Sequence, residues 1–207
     1  MIREFLLVVF VFMFACCELH AENLSADVFL GPSLGETIVI RHSNGGGITK
    51  KTCTFISDSG TYYIEERTRL PKKDTAPKGF PPEIAKMIMG EADIVNNYKL
   101  QAKDGKLVLE SISFKGEENI LVDFVDRRWA QFSRSPEGKV KTDYAIVKEG
   151  EEVILGKLRK VVRVKYSHDF DGLHYAQSYV LASGLGIIRR RNLSPGPNKI
   201  ISILVEE

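Results

Sequence analysis

Short β-branched runs alternate with hairpin turns over most of this chain, and that alternation restricts its fold more than any other feature. The clearest instance is "IVNNYKLQAK", Asp104-Gly105, "KLVLESISFKG". Asp-Gly and Asn-Gly favour two-residue turns whose central residues have positive φ, and such turns close hairpins. The same grammar recurs at "ETIVIRH" (36–42), "NGGG" (44–47) and "ITKKTCTFIS" (48–57), then at "DSG" and "TYYIEERTRL" (61–70). It resumes after residue 118 with "NILVDFVDRRWAQFSRS", "VKTDYAIVKEG", "EEVILGKLRKVVRVKY", "LHYAQSYVLA", "IIRRRNL" and "KIISILVEE".

Successive side chains of a strand point to opposite faces. In "ITKKTCTFIS" this places Cys53 and Phe55 on one face and Thr52, Thr54 and Ile56 on the other. Ile120, Val122 and Phe124 alternate with Leu121, Asp123 and Val125. Val162, Val164 and Tyr166 oppose Arg163 and Lys165, the pattern of a sheet with one wet face. About ten strands, mostly joined by hairpins, give a curved antiparallel meander, and a sheet this long tends to curl. The expected class is mainly β (α+β), a half-barrel with one short covering helix.

That helix is "PPEIAKMIMG", Pro81 to Gly90. Proline suits a first turn, Glu83 lies near the positive end of the dipole, and Gly90 can take the left-handed cap. Ile84, Met87 and Ile88 fall at i, i+3 and i+4 and make one apolar face. Such a face packs on a sheet or closes over an apolar cavity. Pro71, Pro77, Pro81 and Pro82 punctuate the basic loop before it, where proline cannot donate to a ladder.

The chain has 207 residues, 43% apolar and 27% charged, with a formal net charge of +2. Its length suits one domain with a real core. A charge this near zero supplies no polyanion-seeking field, so nucleic acid is not an expected partner. "FLLVVFVFMFACC" (Phe5 to Cys17) has the length of a signal-peptide apolar region and falls short of the ~20 residues a spanning helix needs. "ELHA" follows, so a signal over residues 1–21 ending at Ala21 is expected, then a single domain over 22–207. The protein should then be secreted or periplasmic, with no transmembrane span in the mature chain. A lipid anchor at Cys16, after "MFA", is the alternative. Cys53 is the lone cysteine of the body. Neither a disulfide framework nor a thiolate zinc site can be assembled there.

Chemistry-bearing motifs are sparse. His-Glu-x-x-His is absent, and "GGGITKKT" lacks Walker spacing and a following helix. "HDFDGLH" gathers His168, Asp169, Asp171 and His174. Histidine and carboxylate are metal ligands, but the spacing matches no zinc or calcium motif, and Asp171-Gly172 reads as a hairpin turn. Glu65-Glu66 and Glu151-Glu152 are adjacent in strands and so point apart. In "YVLASGLGIIRRRN" the glycines fall between a Tyr-rich strand and a basic one. Arg189 and Arg191 then share one face and Arg190 takes the other. Lipid headgroups or a cell-wall polymer are the anionic surfaces such a strand would suit.

Two segments carry a resemblance. "PSLGETIVIRHSNGG" (32–46) has a Pro and a Gly before a strand that ends at a polar Gly turn. "EEVILGKLRKVVRVKY … YVLASGLGIIRRR" (151–191) has a Gly turn at Gly156, a Val-x-Val strand end and a Tyr-rich strand running into Gly-x-Gly. Both resemble a broad group of bacterial secreted proteins and lipoproteins with a curved antiparallel half-barrel related to the lipoprotein carriers. In that group Trp and Tyr stand where this chain has Ile38 and Ile40. The resemblance implies a concave face able to hold an apolar ligand, and it carries over no catalytic residue.

The expected function is therefore a non-catalytic binding or scaffold protein holding a lipid or other apolar ligand on the concave face of its sheet. Neither a cofactor nor a catalytic or metal residue is assigned. The expected liners are Ile84, Met87, Ile88, Phe124, Trp129, Tyr175 and Tyr179. The alternatives are a structural subunit of a cell-envelope complex, with an envelope protein as partner, and a secreted metal-dependent enzyme with a site near His168 and His174.

Overall fold

The computed structural model describes residues 24–43, 46–75, 78–112, 118–135, 138–194 and 200–205. The proposed signal segment, Cys16, and the "SPGPN" turn apart from Ser194 lie outside them, as do Asn44 and Gly45 of the first turn.

Twelve strands form one antiparallel sheet: β1 (Thr37–His42), β2 (Ile48–Ile56), β3 (Tyr62–Arg69), β4 (Ile94–Lys103), β5 (Lys106–Ser111), β6 (Glu118–Asp123), β7 (Arg128–Ser135), β8 (Gly138–Ile154), β9 (Lys157–Phe170), β10 (Leu173–Ala182), β11 (Gly186–Asn192) and β12 (Ile200–Val205). Their spatial order is β6-β5-β4-β3-β2-β1-β12-β11-β10-β9-β8-β7. Two meanders are thus joined where the first strand pairs the last, Val39 opposite Val205 and His42 opposite Ser202. Asp104-Gly105, Leu155-Gly156 and Asp171-Gly172 all have positive φ at both positions, as their hairpins require.

The sheet curls until its edges meet, further than the half-barrel expected, so the interior is wrapped by strands nearly all the way round. "NILVDFVDRRWAQFSRS", which reads as one run, is two strands, β6 and β7, and these are the two edges. The cause is Asp123. Its carboxylate accepts hydrogen bonds from the Val125 and Asp126 amides, and its carbonyl accepts one from Arg127. An Asp that bonds its own backbone two residues on makes a turn without glycine or proline. Across the seam, side chains replace the missing ladder. Gln131 accepts from the Ile120 amide and donates to the Ile120 carbonyl, and the Trp129 indole donates to the same carbonyl at 3.2 Å.

A second local departure occurs in β2. Cys53 pairs Ile64 and Phe55 pairs Tyr63, so the register shifts between them. Cys53 is fully buried while Phe55 is 54% exposed and packs on Tyr63. The expectation that they share a face fails because the extra residue of a bulge breaks the period of two.

The larger of two buried clusters lies on the inner face of the barrel. Ile64, Leu100, Leu107, Val122, Val162, Val164, Tyr179 and Leu181 are buried there together. A 3₁₀ turn, Ala26–Phe29, plugs it. Phe29 is fully buried and stacks on Phe124 at 5.5 Å, and the Val28 carbonyl accepts from the Gly184 amide. On the outer side of the same strands Arg163 and Lys165 reach solvent beside Arg189 and Arg191. The expected alternation of wet and dry faces therefore holds in β9.

Helix α1 (Pro82–Ile88) forms where the sequence places it, and none of its residues is buried. It ends in a Schellman cap, with the Gly90 amide on the Met87 carbonyl and the Glu91 amide on the Lys86 carbonyl. A Cβ at Gly90 would lie 2.4 Å from the Leu70 carbonyl oxygen. The cap is thus held against the end of β3. Among the described residues, no helix is long and apolar enough to cross a membrane.

Candidate functional site

Inside the barrel is a cavity of about 340 Å³ that opens to solvent. One part of its wall is apolar: Phe29, Leu100, Leu107, Leu109, Leu181 and Ile187. The other part is polar and comes from the inward positions of β1 to β4, β11 and β12. Cross-strand pairing sets Thr49 beside Thr68 and Lys51 beside Glu66 on β2 and β3. His42 faces Ser202 on β12, and Ser202 faces Arg190 on β11.

These groups form two small networks. His42 Nε2 lies 2.7 Å from the Thr49 hydroxyl, which lies 2.6 Å from the Thr68 hydroxyl. Lys51 Nζ lies 3.3 Å from Glu66 Oε1, and the Tyr98 hydroxyl donates to that same oxygen at 2.7 Å. The Lys51 ammonium also donates to the Ile187 carbonyl at 3.4 Å. Burial lowers the Lys51 pKa, because a cation is costly out of water, and the Glu66 charge opposes that shift. Burial alone would raise the Glu66 pKa. The Lys51 charge, the Tyr98 hydroxyl and the Arg190 charge outweigh it and hold the carboxyl below its usual range. Tyr98 is pushed well up, first by burial and then by the neighbouring carboxylate. His42 is lowered by burial and by Arg190, with Glu66 in partial opposition.

A row of aromatic side chains crosses the opposite inner wall. Trp129 stacks on Tyr144 at 5.2 Å, Tyr144 on Tyr166 at 5.5 Å, and Tyr166 tilts against Tyr179 at 5.8 Å. The Tyr179 hydroxyl reaches across the interior and donates to the Leu121 carbonyl on β6. Burial raises Tyr179 well above its ordinary pKa, so this hydroxyl stays a donor.

The seven expected liners fall into three places. Phe124, Trp129 and Tyr179 pack into the interior together, around but outside the wall of the cavity. Tyr175 lies farther along β10, 37% exposed and stacked on His168. Ile84, Met87 and Ile88 are on α1, with Ile84 43% exposed. Sequence reasoning missed Lys51, Glu66, Arg190 and His42. Strand parity does couple Lys51 to Cys53 and opposes Arg190 to its two arginine neighbours. What parity lacks is which face turns inward.

The "HDFDGLH" histidines do not converge. His168 pairs Tyr175 and His174 pairs Asp169, so the two imidazoles point to opposite faces of the hairpin. His174 Nδ1 and Asp169 Oδ1 are 2.8 Å apart at an exposed tip. Among the described residues, no three His, Cys, Asp or Glu side chains are placed to hold a metal ion. Burial raises the pKa of the Cys53 thiol, which leaves it a poor nucleophile.

Neither a protein-family model nor a curated protein matches the sequence. Two solved structures align with most of it. One is a "putative lipoprotein" from Parabacteroides distasonis, 13% identical with a TM-score of 0.49, covering 86% of this chain and 96% of that one. Another is a "putative exported protein with YmcC-like fold" from Bacteroides fragilis, 10% identical with a TM-score of 0.44, covering 86% and 97%. A likeness at this level assigns neither compartment nor activity to this chain.

Proposed function

We propose that this is a secreted or periplasmic non-catalytic protein that holds a lipid or other apolar ligand inside its sheet. The observation that carries the reading is the open interior cavity with one apolar wall. A barrel built only for stability gains by filling such space, since unfilled apolar volume costs free energy. Small-molecule sites run from about 300 to 1,000 Å³, and the volume of this cavity falls at the small end of that range. Phe124, Trp129 and Tyr179 back the interior and fix its shape. Export of the chain rests on the apolar run Phe5 to Cys17 ahead of Ala21.

Native mass spectrometry of protein purified from its own envelope should show a co-purifying lipid-sized mass. A clean apo mass, with no uptake of a neutral apolar fluorophore, would sink the reading. A subunit role in an envelope complex is favoured by one observation. Val153 and Leu158 face each other at the β8–β9 hairpin end, 73% and 66% exposed. Serine at both positions should then remove a co-purifying envelope protein without lowering stability.

A further inference from the structure

The charges around the cavity do not balance. Formal charge in its wall sits on Lys51, Glu66 and Arg190. Lys51 and Glu66 pair at 3.3 Å and neutralise each other, and the Tyr98 hydroxyl occupies the same carboxylate oxygen. Among the described residues, no anion of the wall is left over for a cationic ligand. Arg190 is different. Among the described residues it has no hydrogen bond or ion pair, and it is exposed where the cavity opens. Its cross-strand neighbours are Tyr179 and Ser202, neither of them charged. The groups that feel its charge include His42, Lys51, Glu66, Tyr98, Tyr166 and Tyr179, so it stands at the middle of the polar layer.

We propose that the cavity takes a single-chain amphiphile with an anionic head, the head on the Arg190 guanidinium and the chain against Phe29, Leu100, Leu107 and Leu181. The inference rests on the ligand-holding reading above and names its ligand class. A guanidinium presents a planar fork of donors that matches a carboxylate or phosphate in two parallel hydrogen bonds. The four apolar residues are all nearly or fully buried and give the chain a dry wall. A volume of about 340 Å³ is near the small end of ligand sites, which suits one chain and not two. A zwitterionic or cationic head has no free counter-charge in this wall.

The test uses the mature protein and three probes of equal chain length: dodecanoate, dodecyl phosphate and dodecanol. Binding is read by displacement of N-phenylnaphthylamine, a neutral fluorophore, and checked by calorimetry. A charge-assisted hydrogen bond contributes about 1.5–3 kcal/mol, so both anions should bind roughly tenfold to a hundredfold tighter than the alcohol. Arg190→Gln should bring the anions down to the alcohol and leave dodecanol unchanged. Arg190→Lys, which keeps charge without the fork, should retain part of the preference and covers the case in which Arg190→Gln folds poorly. Arg191→Gln, on the outer face of the same strand, should change none of the three. Tighter dodecyl phosphate would assign the head to a phosphate ester, and tighter dodecanoate to a free fatty acid. Equal binding of dodecanol and the anions, or an anion preference that survives Arg190→Gln, overturns the proposal while the ligand-holding reading stands. Failure of every probe and of the fluorophore overturns both.

Discussion

Replacing Glu66 with leucine should lower stability by about 3 kcal/mol, because removing one member of a buried ion pair leaves the other uncompensated. The Lys51 side chain is 5% exposed and Glu66 is 26% exposed, so the two partners are not equivalent. Without Glu66, Lys51 keeps, among the described residues, only the Ile187 carbonyl at 3.4 Å as an acceptor. Without Lys51, by contrast, Glu66 keeps the Tyr98 hydroxyl and reaches water. Lys51→Met should therefore cost less, about 1 kcal/mol. The double variant Lys51→Met/Glu66→Leu should recover most of the loss, since an apolar pair of similar volume often replaces a buried ion pair without penalty. Urea unfolding with linear extrapolation gives the free energies, and an unchanged m value confirms a common unfolded state. For a chain of this size, 3 kcal/mol corresponds to about 6–12 °C in Tm. The pH dependence has a definite sign. Lys51 has a folded pKa below 10.5, so the unfolded chain holds the extra proton between the two values. Stability of Glu66→Leu should accordingly rise as pH is raised towards 10.5, more steeply than that of the wild type. A loss under 1 kcal/mol in Glu66→Leu, or additive single losses in the double variant, would refute the buried-pair reasoning.

Three further perturbations test other parts of the fold. Gly90 has φ of 71° and a Cβ there would meet the Leu70 carbonyl at 2.4 Å, whereas Gly60 has φ of 76° and open space. Gly90→Ala should cost at least about 2 kcal/mol and Gly60→Ala only about 1, measured by the same unfolding assay. Gln131→Ala removes two of the hydrogen bonds that hold Ile120 across the β6–β7 seam, so hydrogen exchange at the Ile120 amide should accelerate while Ile64 stays protected. Acid should weaken the protein in two steps. His42 has a folded pKa below 6.5, so stability falls as pH drops through 6.5. The contribution of Glu66 is present above 4.5 and lost as pH falls through its lower folded value. His42→Gln should remove the upper step alone.

Much of the strand pattern was legible because it is local. Asp104-Gly105 and Asp171-Gly172 closed the hairpins their dipeptides called for, and the "PPEIAKMIMG" helix formed with Gly90 as its cap. The misreadings also had local causes, but subtler ones. Asp123 makes a turn through its side chain where "DFVDRR" contains no glycine or proline. The bulge between Cys53 and Phe55 adds one residue to the period, and nothing in "TCTF" announces it. The cavity wall was less legible than the strands. Aromatic size pointed to Phe124, Trp129 and Tyr179, which do pack inward. It could not point to Lys51, Glu66 or Arg190, because charged residues on strands usually face water.

The sequence alone determined where strands and turns fall and which neighbours share a face, since pleat and turn conformation depend on residues a few positions apart. It determined that Arg190 opposes Arg189 and Arg191. The tertiary structure decided that the Arg190 face is the inner one. That choice depends on the pairing of β1 with β12, some 160 residues apart in the chain, and on the curl that brings β6 to β7. Only when those distant strands meet does Lys51 find Glu66 at 3.3 Å, and only then does Arg190, which has no hydrogen bond or ion pair among the described residues, share a cavity with an apolar wall.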